Sequence, residues 1–208
     1  MKFVSLVFAL VFGAGAFGLG AAPAEAGPIL HVVDGKLVGA QDVNVNGKLY
    51  DVKFVDGSCA SVFSGCDSTS DFAITDFVTM YFHVGQALLN QVLLDVPGVG
   101  NFDSAPYLTN GCDSFTTQCF IQIPYGFNSP TDAKSIAVWN NAGDGDGRGT
   151  SHDSTTQDYG QFANVTWAVF LPDGSLDAVV AVPEPSTLAL FGGGLLGLAG
   201  LARRRRRT

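Results

Sequence analysis

Two dipeptides, Asp34-Gly35 and Asn46-Gly47, constrain the fold of this sequence more than any other feature. Both favour a type I′ turn, because Asp, Asn and Gly tolerate the positive φ angles that this two-residue hairpin loop requires. The residues after the second turn alternate between apolar and polar, most clearly over 50–54, as in a strand with one buried face. A β-meander is therefore predicted, with strands at 29–33, 36–45 and 48–55.

The acidic residues between positions 27 and 182 are all aspartates. Seventeen aspartates and no glutamate lie in this range, against five Lys and Arg residues, so its formal net charge is −12. Asp favours turns and caps whereas Glu favours helices, so this bias predicts strands and turns with little helix. Nucleic-acid binding is not expected, since it requires clustered Lys and Arg.

One segment changes to a helical period. Over 77–92 apolar residues recur every three or four positions, which predicts one amphipathic helix. Thr75 or Asp76 can cap its start, and the Val-Pro-Gly sequence at 96–98 can end it. The β-branched and aromatic residues over 77–82 leave a second interpretation open, with strand there and the helix only after it.

The second half of the chain is predicted to be mostly strand. Strands are expected at 120–125, 135–139 and 162–171. A polar, glycine-rich stretch from Asn140 to Tyr159 is expected to be a loop. These patterns together predict an α+β fold, in which residues 27–178 form a single β-rich domain with mainly antiparallel strands and one amphipathic helix.

The first 26 residues have the parts of a secretory signal peptide. Lys2 precedes an apolar run over 3–19, and Ala24-Glu25-Ala26 fits the small-x-small rule for cleavage before Gly27. A permanent N-terminal membrane helix is the alternative. The signal predicts export through the Sec translocon, cleavage by signal peptidase, and folding where disulfides form.

Four cysteines fall into two pairs with the same spacing. Cys59 and Cys66 are seven residues apart, as are Cys112 and Cys119. In an exported chain four cysteines predict two disulfides, and the equal spacing favours the local pairs 59–66 and 112–119 among three connectivities. A four-thiolate zinc site is the alternative, although structural zinc sites normally use closer pairs.

Residues 179–208 combine a linker, a short motif, an apolar segment and a basic cluster. Pro183-Glu184-Pro185 precedes fifteen uncharged residues over 188–202, and Arg203 to Arg207 follow. As a helix the apolar segment measures about 22 Å, short for a hydrocarbon core of about 30 Å. The arginines favour the cytoplasmic side, which predicts a separate single-pass helix with the domain outside.

This arrangement resembles the PEP-CTERM sorting domain of exported proteins in Gram-negative bacteria that make exopolysaccharide. The resemblance rests on the tripeptide 183–185, Ser186-Thr187, the glycine-rich apolar segment and the arginine cluster. It implies transient anchoring in the inner membrane, removal of the tail by exosortase, and a place at the cell surface or in the extracellular matrix. The stretch LYDVKFVDGSCASVFSGCD also resembles ectodomains attached to such tails, and this resemblance implies nothing about catalysis.

The glycine-rich loop is the candidate for metal binding. It carries four aspartates, Asp144, Asp146, Asp153 and Asp158. Calcium takes six to eight oxygen ligands, and aspartates on a flexible turn supply them. The match to an EF-hand loop is poor, because Arg148 and Thr155 stand where that loop has ligands. Weak calcium binding is therefore a hypothesis beside a simple solvated acidic loop, and no other cofactor is expected.

Aromatic residues offer a second kind of binding surface. A carbohydrate-binding site would use exposed rings, whereas alternation within strands favours core packing for these residues. The rings in question are Trp139, Trp167, Tyr107, Tyr125 and Tyr159.

No catalytic pattern is present in the sequence: it lacks a nucleophile elbow, a zinc-protease helix and a phosphate-binding glycine loop. Structural roles are the default interpretation of His31, His83 and His152. We therefore expect a non-enzymatic, exosortase-processed protein of the cell surface or matrix, associated with exopolysaccharide and biofilm. The alternatives are a module that binds polysaccharide or calcium, and a secreted hydrolase with an unrecognised site.

Overall fold

The computed structural model describes residues 27–113, 116–143 and 145–176. Within them, seven strands form one sheet, a two-stranded hairpin lies beside it, and a sixteen-residue helix packs on the sheet. The strands of the large sheet are β1 (Ile29–Val33), β2 (Lys36–Val45), β3 (Lys48–Val55), β6 (Gln118–Ser129), β7 (Asp132–Asn141), β8 (Gly147–Ser154) and β9 (Val165–Pro172). The hairpin consists of β4 (Asp95–Val96) and β5 (Gly100–Asn101).

The order of strands across the large sheet is β1-β2-β3-β9-β6-β7-β8. Neighbouring strands are antiparallel, except that β6 and β9 pair in parallel. The last strand therefore lies between the N-terminal meander and the β6–β7–β8 meander. For the described residues, this confirms the prediction of a β-rich domain with mainly antiparallel strands and one helix.

The N-terminal meander has the strand bounds that its turn signals predict. Asp34 and Gly35 have φ angles of 51° and 79°, and Asn46 and Gly47 have 52° and 84°, as a type I′ turn requires. The register of β2 against β3 shifts between Ala40 and Val43. Asp42 lies in this bulge with a φ of 58°.

The helix α2 spans residues 77–92, so the alternative of a strand over 77–82 is wrong. Asp76 caps its first turn, since its carboxylate accepts a hydrogen bond of 2.7 Å from the Thr79 amide. The helix ends earlier than the 96–98 turn signal predicts, because β4 and β5 use that signal for their own hairpin. Two stretches, Met80–Val84 and Leu88–Val92, have π-helical hydrogen bonds.

The glycine-rich stretch 140–159 is not a loop throughout, because it contains β8. Gly147 and Gly149 lie against the ring of Trp139 on the neighbouring strand, and a Cβ at Gly147 would approach that ring to 2.7 Å. Glycine is normally depleted in strands, but here its missing side chain makes room for the indole. Packing between strands thus overrides the local composition from which the loop was predicted.

The large sheet has apolar clusters on both faces. The main core lies between the sheet and α2, and its largest fully buried side chains include Phe54, Phe102 and Leu88. The middle of α2, Gly85–Ala87, contacts β2, β7 and β8, so the sheet curves around the helix. A smaller cluster around Trp167 is covered by the segment that follows β3, which includes the short helix α1 (Cys59–Val62).

Both cysteine pairs form the disulfides that their spacing predicts. Cys59 bonds to Cys66 and Cys112 bonds to Cys119, with Cα–Cα distances of 5.5 and 5.9 Å. All four cysteines are at least 97% buried. The zinc alternative is wrong, because the sulfur atoms are used in the disulfides.

Among the described residues, no helix is both long and apolar enough to cross a membrane. The predicted signal peptide 1–26 and the predicted membrane segment 188–202 lie outside those residues.

Candidate functional site

The described aspartates of the acidic loop have separate structural roles. The Asp146 side chain accepts a hydrogen bond of 2.7 Å from the backbone amide of Asn141 and so closes the turn between β7 and β8. Asp158 caps the 3₁₀ turn Tyr159–Gln161, accepting a bond of 2.9 Å from the Gly160 amide. Asp153 lies within β8 and is 97% buried.

Asp153 is the centre of a buried polar network. Its carboxylate accepts a hydrogen bond from the Tyr159 hydroxyl. The Ser151 hydroxyl lies 3.4 Å from the same carboxylate and 2.7 Å from the Gln122 side-chain oxygen, so its single proton goes mainly to Gln122. This arrangement joins β6, β8 and the turn after β8 beneath the surface.

Burial raises the pKa of Asp153, because a charged carboxylate is poorly solvated there. The hydroxyls of Ser135, Tyr159 and Ser151 oppose this effect and lower the pKa, whereas the nearby Asp132 raises it. Burial and the charge of Asp153 also raise the pKa of Tyr159, which therefore stays protonated and donates.

No group of three Asp, Glu, His or Cys side chains is arranged to hold a metal ion within the part of the chain that the structure describes. Asp144 lies outside that part. Calcium binding by Asp144, Asp146, Asp153 and Asp158 therefore stays a prediction.

The three histidines occupy different places. His152 Nδ1 lies 3.5 Å from an Asp132 oxygen, and its side chain is 57% exposed. His31 is on β1, where its Nε2 is buried with no hydrogen-bond partner. His83 is partly exposed on α2.

A polar cleft of about 370 Å³ opens where the segments after β3 and before β9 meet the second disulfide. Its described lining residues include Asp56, Asp113 and Gln161, with no histidine and no serine or threonine hydroxyl among them. Burial, and then the charge of Asp158, raise the pKa of Asp56, while Lys36 lowers it. Lys36 itself is anchored, since it donates to the carbonyl oxygens of Tyr107 and Cys112.

Two exposed and two half-buried aromatic rings form a cluster, which we call the aromatic patch: Phe77, Tyr81 and Phe82 of α2 with Tyr125 of β6. The Phe77 ring lies 5.5 Å from Tyr125 and 5.7 Å from Tyr81, whose ring is 5.1 Å from Phe82. Phe77 and Phe82 are 43% and 53% exposed. The rings therefore hold one another in a fixed arrangement at the surface.

Arg148 supports the aromatic patch from β8. Its guanidinium lies 5.7 Å from the centre of the Tyr81 ring. The same group donates hydrogen bonds of 2.6 Å to the Tyr81 carbonyl and 2.7 Å to the Gln86 side chain. Gly85 lets the arginine lie this close, because a Cβ there would approach Arg148 Cδ to 2.8 Å.

The sequence interpretation named one member of this patch, Tyr125, and missed the other three. The five rings that it considered are buried or half-buried: Trp167 and Tyr159 are in the smaller core cluster, and Trp139, Tyr107 and Tyr125 are intermediate. The signal that could have found the patch is the pair Phe77 and Phe82, which lie five residues apart and so do not both fit the buried stripe of one helix.

The remaining candidate is the tail, which lies outside the described residues. Comparison with protein families matches residues 181–207 to the PEP-CTERM protein-sorting motif. These residues carry a PEP-CTERM sorting signal. The match contains Pro183-Glu184-Pro185, the apolar segment and the arginines, as the resemblance implied.

A PEP-CTERM signal implies an exported protein that exosortase processes for the cell surface. The match covers the tail and does not extend into the folded domain. No curated protein and no solved structure matches the chain.

Proposed function

We propose that this chain is a non-enzymatic, exosortase-processed protein of the cell surface or extracellular matrix, where it associates with exopolysaccharide. It is exported through the Sec translocon, loses residues 1–26 to signal peptidase, and is held in the inner membrane by its C-terminal segment until exosortase removes the tail. The PEP-CTERM signal at 181–207 is the observation that carries the proposal.

The folded domain supports this route through its disulfides. Both bonds join cysteines that are buried in the native domain, and such bonds form in oxidising compartments outside the cytoplasm. The net charge of −12 over residues 27–182 supports a soluble extracellular part, because like charges keep the molecules apart.

Replacing Pro183, Glu184 and Pro185 by alanine tests the route in cells. We expect this variant to stay in the inner-membrane fraction, because exosortase no longer recognises it, while the wild type reaches the cell surface or medium. A matched control replaces Val179 and Val180, which lie in the linker outside the motif. The route is wrong if the motif variant and the control fractionate alike.

Polysaccharide binding is a second candidate function, and the aromatic patch favours it. Sugar rings stack on aromatic faces, and fixed rings lose little entropy on binding. Polar groups that could bind hydroxyls lie beside the rings on Arg148 and Gln86. The acidic domain would repel an anionic polymer, so a neutral polysaccharide fits best.

A glycan array on the disulfide-intact protein tests this function with Phe82→Ala. We expect the substitution to weaken binding about 5- to 30-fold, corresponding to about 1–2 kcal/mol for an exposed aromatic contact. Phe162→Ala is the matched control, because Phe162 is 44% exposed but lies outside the patch. Equal binding by both variants would remove the patch as the binding surface.

A further inference from the structure

Both ends of the described domain lie at one place on the sheet. At the N-terminal end, Ile29 pairs with Gln41 in the first register position of β1 and β2. At the C-terminal end, the Gln41 side chain donates a hydrogen bond to the Leu176 carbonyl. The chain thus enters and leaves the domain beside the same residue, which lies at the bulge of β2.

Asp51 holds the C-terminal end from the other side. It is fully buried on β3, and one of its oxygens accepts a hydrogen bond of 2.7 Å from the Leu176 amide. Asp51 pairs with Leu171 of β9 and faces away from Tyr50 and Val52, which belong to the core under α2. Leu176 therefore lies on the sheet face opposite the helix.

Two further observations place neighbouring residues at this spot. The β2 bulge lies opposite Asp51, because Ala40 pairs with Val52 and Val43 pairs with Tyr50. Asp42 of the bulge interacts with the carboxylates of both Asp173 and Asp51. We call the surface formed by Ile29, Gln41, Asp42, Asp173 and Leu176 the exit patch.

The length of chain after Leu176 limits how far the exit patch can be from the membrane. Pro183 is seven residues beyond Leu176, so the motif lies within about 25 Å of the patch even if the chain is fully extended. Leu188, where the apolar segment begins, is twelve residues beyond Leu176. A flexible chain of that length has a root-mean-square span of about 20 Å.

The turn between β7 and β8 is the part of the sheet farthest from the exit patch along the strands. Leu171 is level with Asp51, Trp167 is level with Gln122, and Gln118 pairs with Asn141. These registers separate the Asp51 level from the Asn141 level by eight residues, or about 26 Å. The separation exceeds the typical span of the tether.

We propose that the exit patch faces the lipid surface while the tail is held in the membrane, so that the β7–β8 turn points outward and exosortase acts beside the exit patch. The short tether favours this orientation, because the opposite one requires the tether to stretch beyond its typical span, and no attraction between the acidic domain and the lipid is needed. The inference rests on the proposed membrane-held stage of sorting.

Energy transfer to labelled lipids tests the orientation in the unprocessed protein. The exported chain, with its tail intact, is purified from a host without exosortase and reconstituted into vesicles that carry an acceptor lipid. A donor dye is attached through Asp173→Cys at the exit patch or Ala142→Cys at the β7–β8 turn, both exposed positions. The native cysteines are all in disulfides and so do not take the label.

We expect higher transfer efficiency from position 173 than from position 142. A flexible spacer of about 40 Gly and Ser residues after Leu176 lengthens the root-mean-square span to about 40 Å and should remove the difference. Equal transfer without the spacer, or higher transfer from position 142, overturns the orientation. Failure of the chain to float with the vesicles instead refutes the membrane-held stage, and the inference fails with it.

Discussion

At the scale of single residues, aspartate has two different roles in this domain. Asp76 and Asp158 cap helical turns by accepting backbone hydrogen bonds at the surface. Asp51 and Asp153 are buried, where each accepts a hydrogen bond from a defined donor. Aspartate therefore acts as a structural residue in this domain, where every acidic residue is aspartate. Its short side chain reaches nearby hydrogen-bond donors.

The raised pKa of Asp153 predicts a pH dependence of stability. Above the unfolded-state value near 3.8, the unfolded chain releases the Asp153 proton while the folded protein still holds it. The folded state binds more protons in that window, so this residue makes the free energy of unfolding fall as pH rises. Asp153→Asn removes the ionisation and keeps an acceptor for Tyr159. Denaturant unfolding at pH 4 and pH 7 should show that the free energy of unfolding decreases less between these pH values for the variant than for the wild type.

Asp34→Asn is the control for that measurement, since it removes one negative charge from an exposed turn. The same pH dependence in Asp153→Asn and in the wild type would show that the buried network does not titrate as its burial predicts.

At the scale of elements, the sequence predicted those strands and turns whose conformation depends on residues adjacent in the chain. The turns Asp34-Gly35 and Asn46-Gly47 set the N-terminal meander because their φ angles are intrinsic to those residues. The strand β8 was missed because Gly147 and Gly149 become favourable only once Trp139 lies against them. The parallel pairing of β9 with β6 joins residues far apart in sequence, and no local pattern reports it.

The candidate sites also divide into those that the sequence predicts and those that only the fold assembles. The sorting motif and both disulfides were predictable, because a contiguous motif and a fixed spacing are properties of the sequence itself. The buried network around Asp153 and the aromatic patch were not, because each is assembled from separate elements. Phe77 and Tyr125, for example, are 48 positions apart in the chain and meet only in the fold.

The packing of α2 on β8 predicts an unusual effect of Gly85→Ala. Alanine favours a helix over glycine by about 1 kcal/mol, so this change would stabilise an exposed helix. Here the added Cβ would lie 2.8 Å from Arg148 Cδ and 3.2 Å from a Val138 methyl, so we expect a net loss of about 1–3 kcal/mol. Urea unfolding measures the change.

Asn90→Ala, at an exposed position of the same helix, is the matched control and should stay within about 0.5 kcal/mol of the wild type. A Gly85→Ala protein more stable than the wild type would contradict the close packing of Arg148.

At the scale of the whole molecule, two local disulfides hold the loops on the two sides of the sheet. The 59–66 bond lies in the smaller cluster with Trp167, and the 112–119 bond lies in the main core. Replacing either cysteine pair by alanine should lower the free energy of unfolding by about 2–5 kcal/mol, because each closed loop restricts the unfolded chain. Denaturant unfolding of the two double variants, measured beside the wild type, checks this. A loss below about 0.5 kcal/mol would show that the bond is not structural.

The chain combines a sorting signal in its tail with a folded domain whose described ends meet at Gln41. The sorting signal determines the destination of the domain. The meeting of the ends places the exit patch nearest the membrane during the membrane-held stage. The whole route depends on removal of the tail.

The intact mass of the protein recovered from the native cell surface or medium tests this claim most directly. Processing by signal peptidase and exosortase predicts a species that begins at Gly27 and lacks residues 188–208, with two disulfides in place. A mature species that still carries residues 188–208 would contradict exosortase processing, and a permanent tail anchor would replace it.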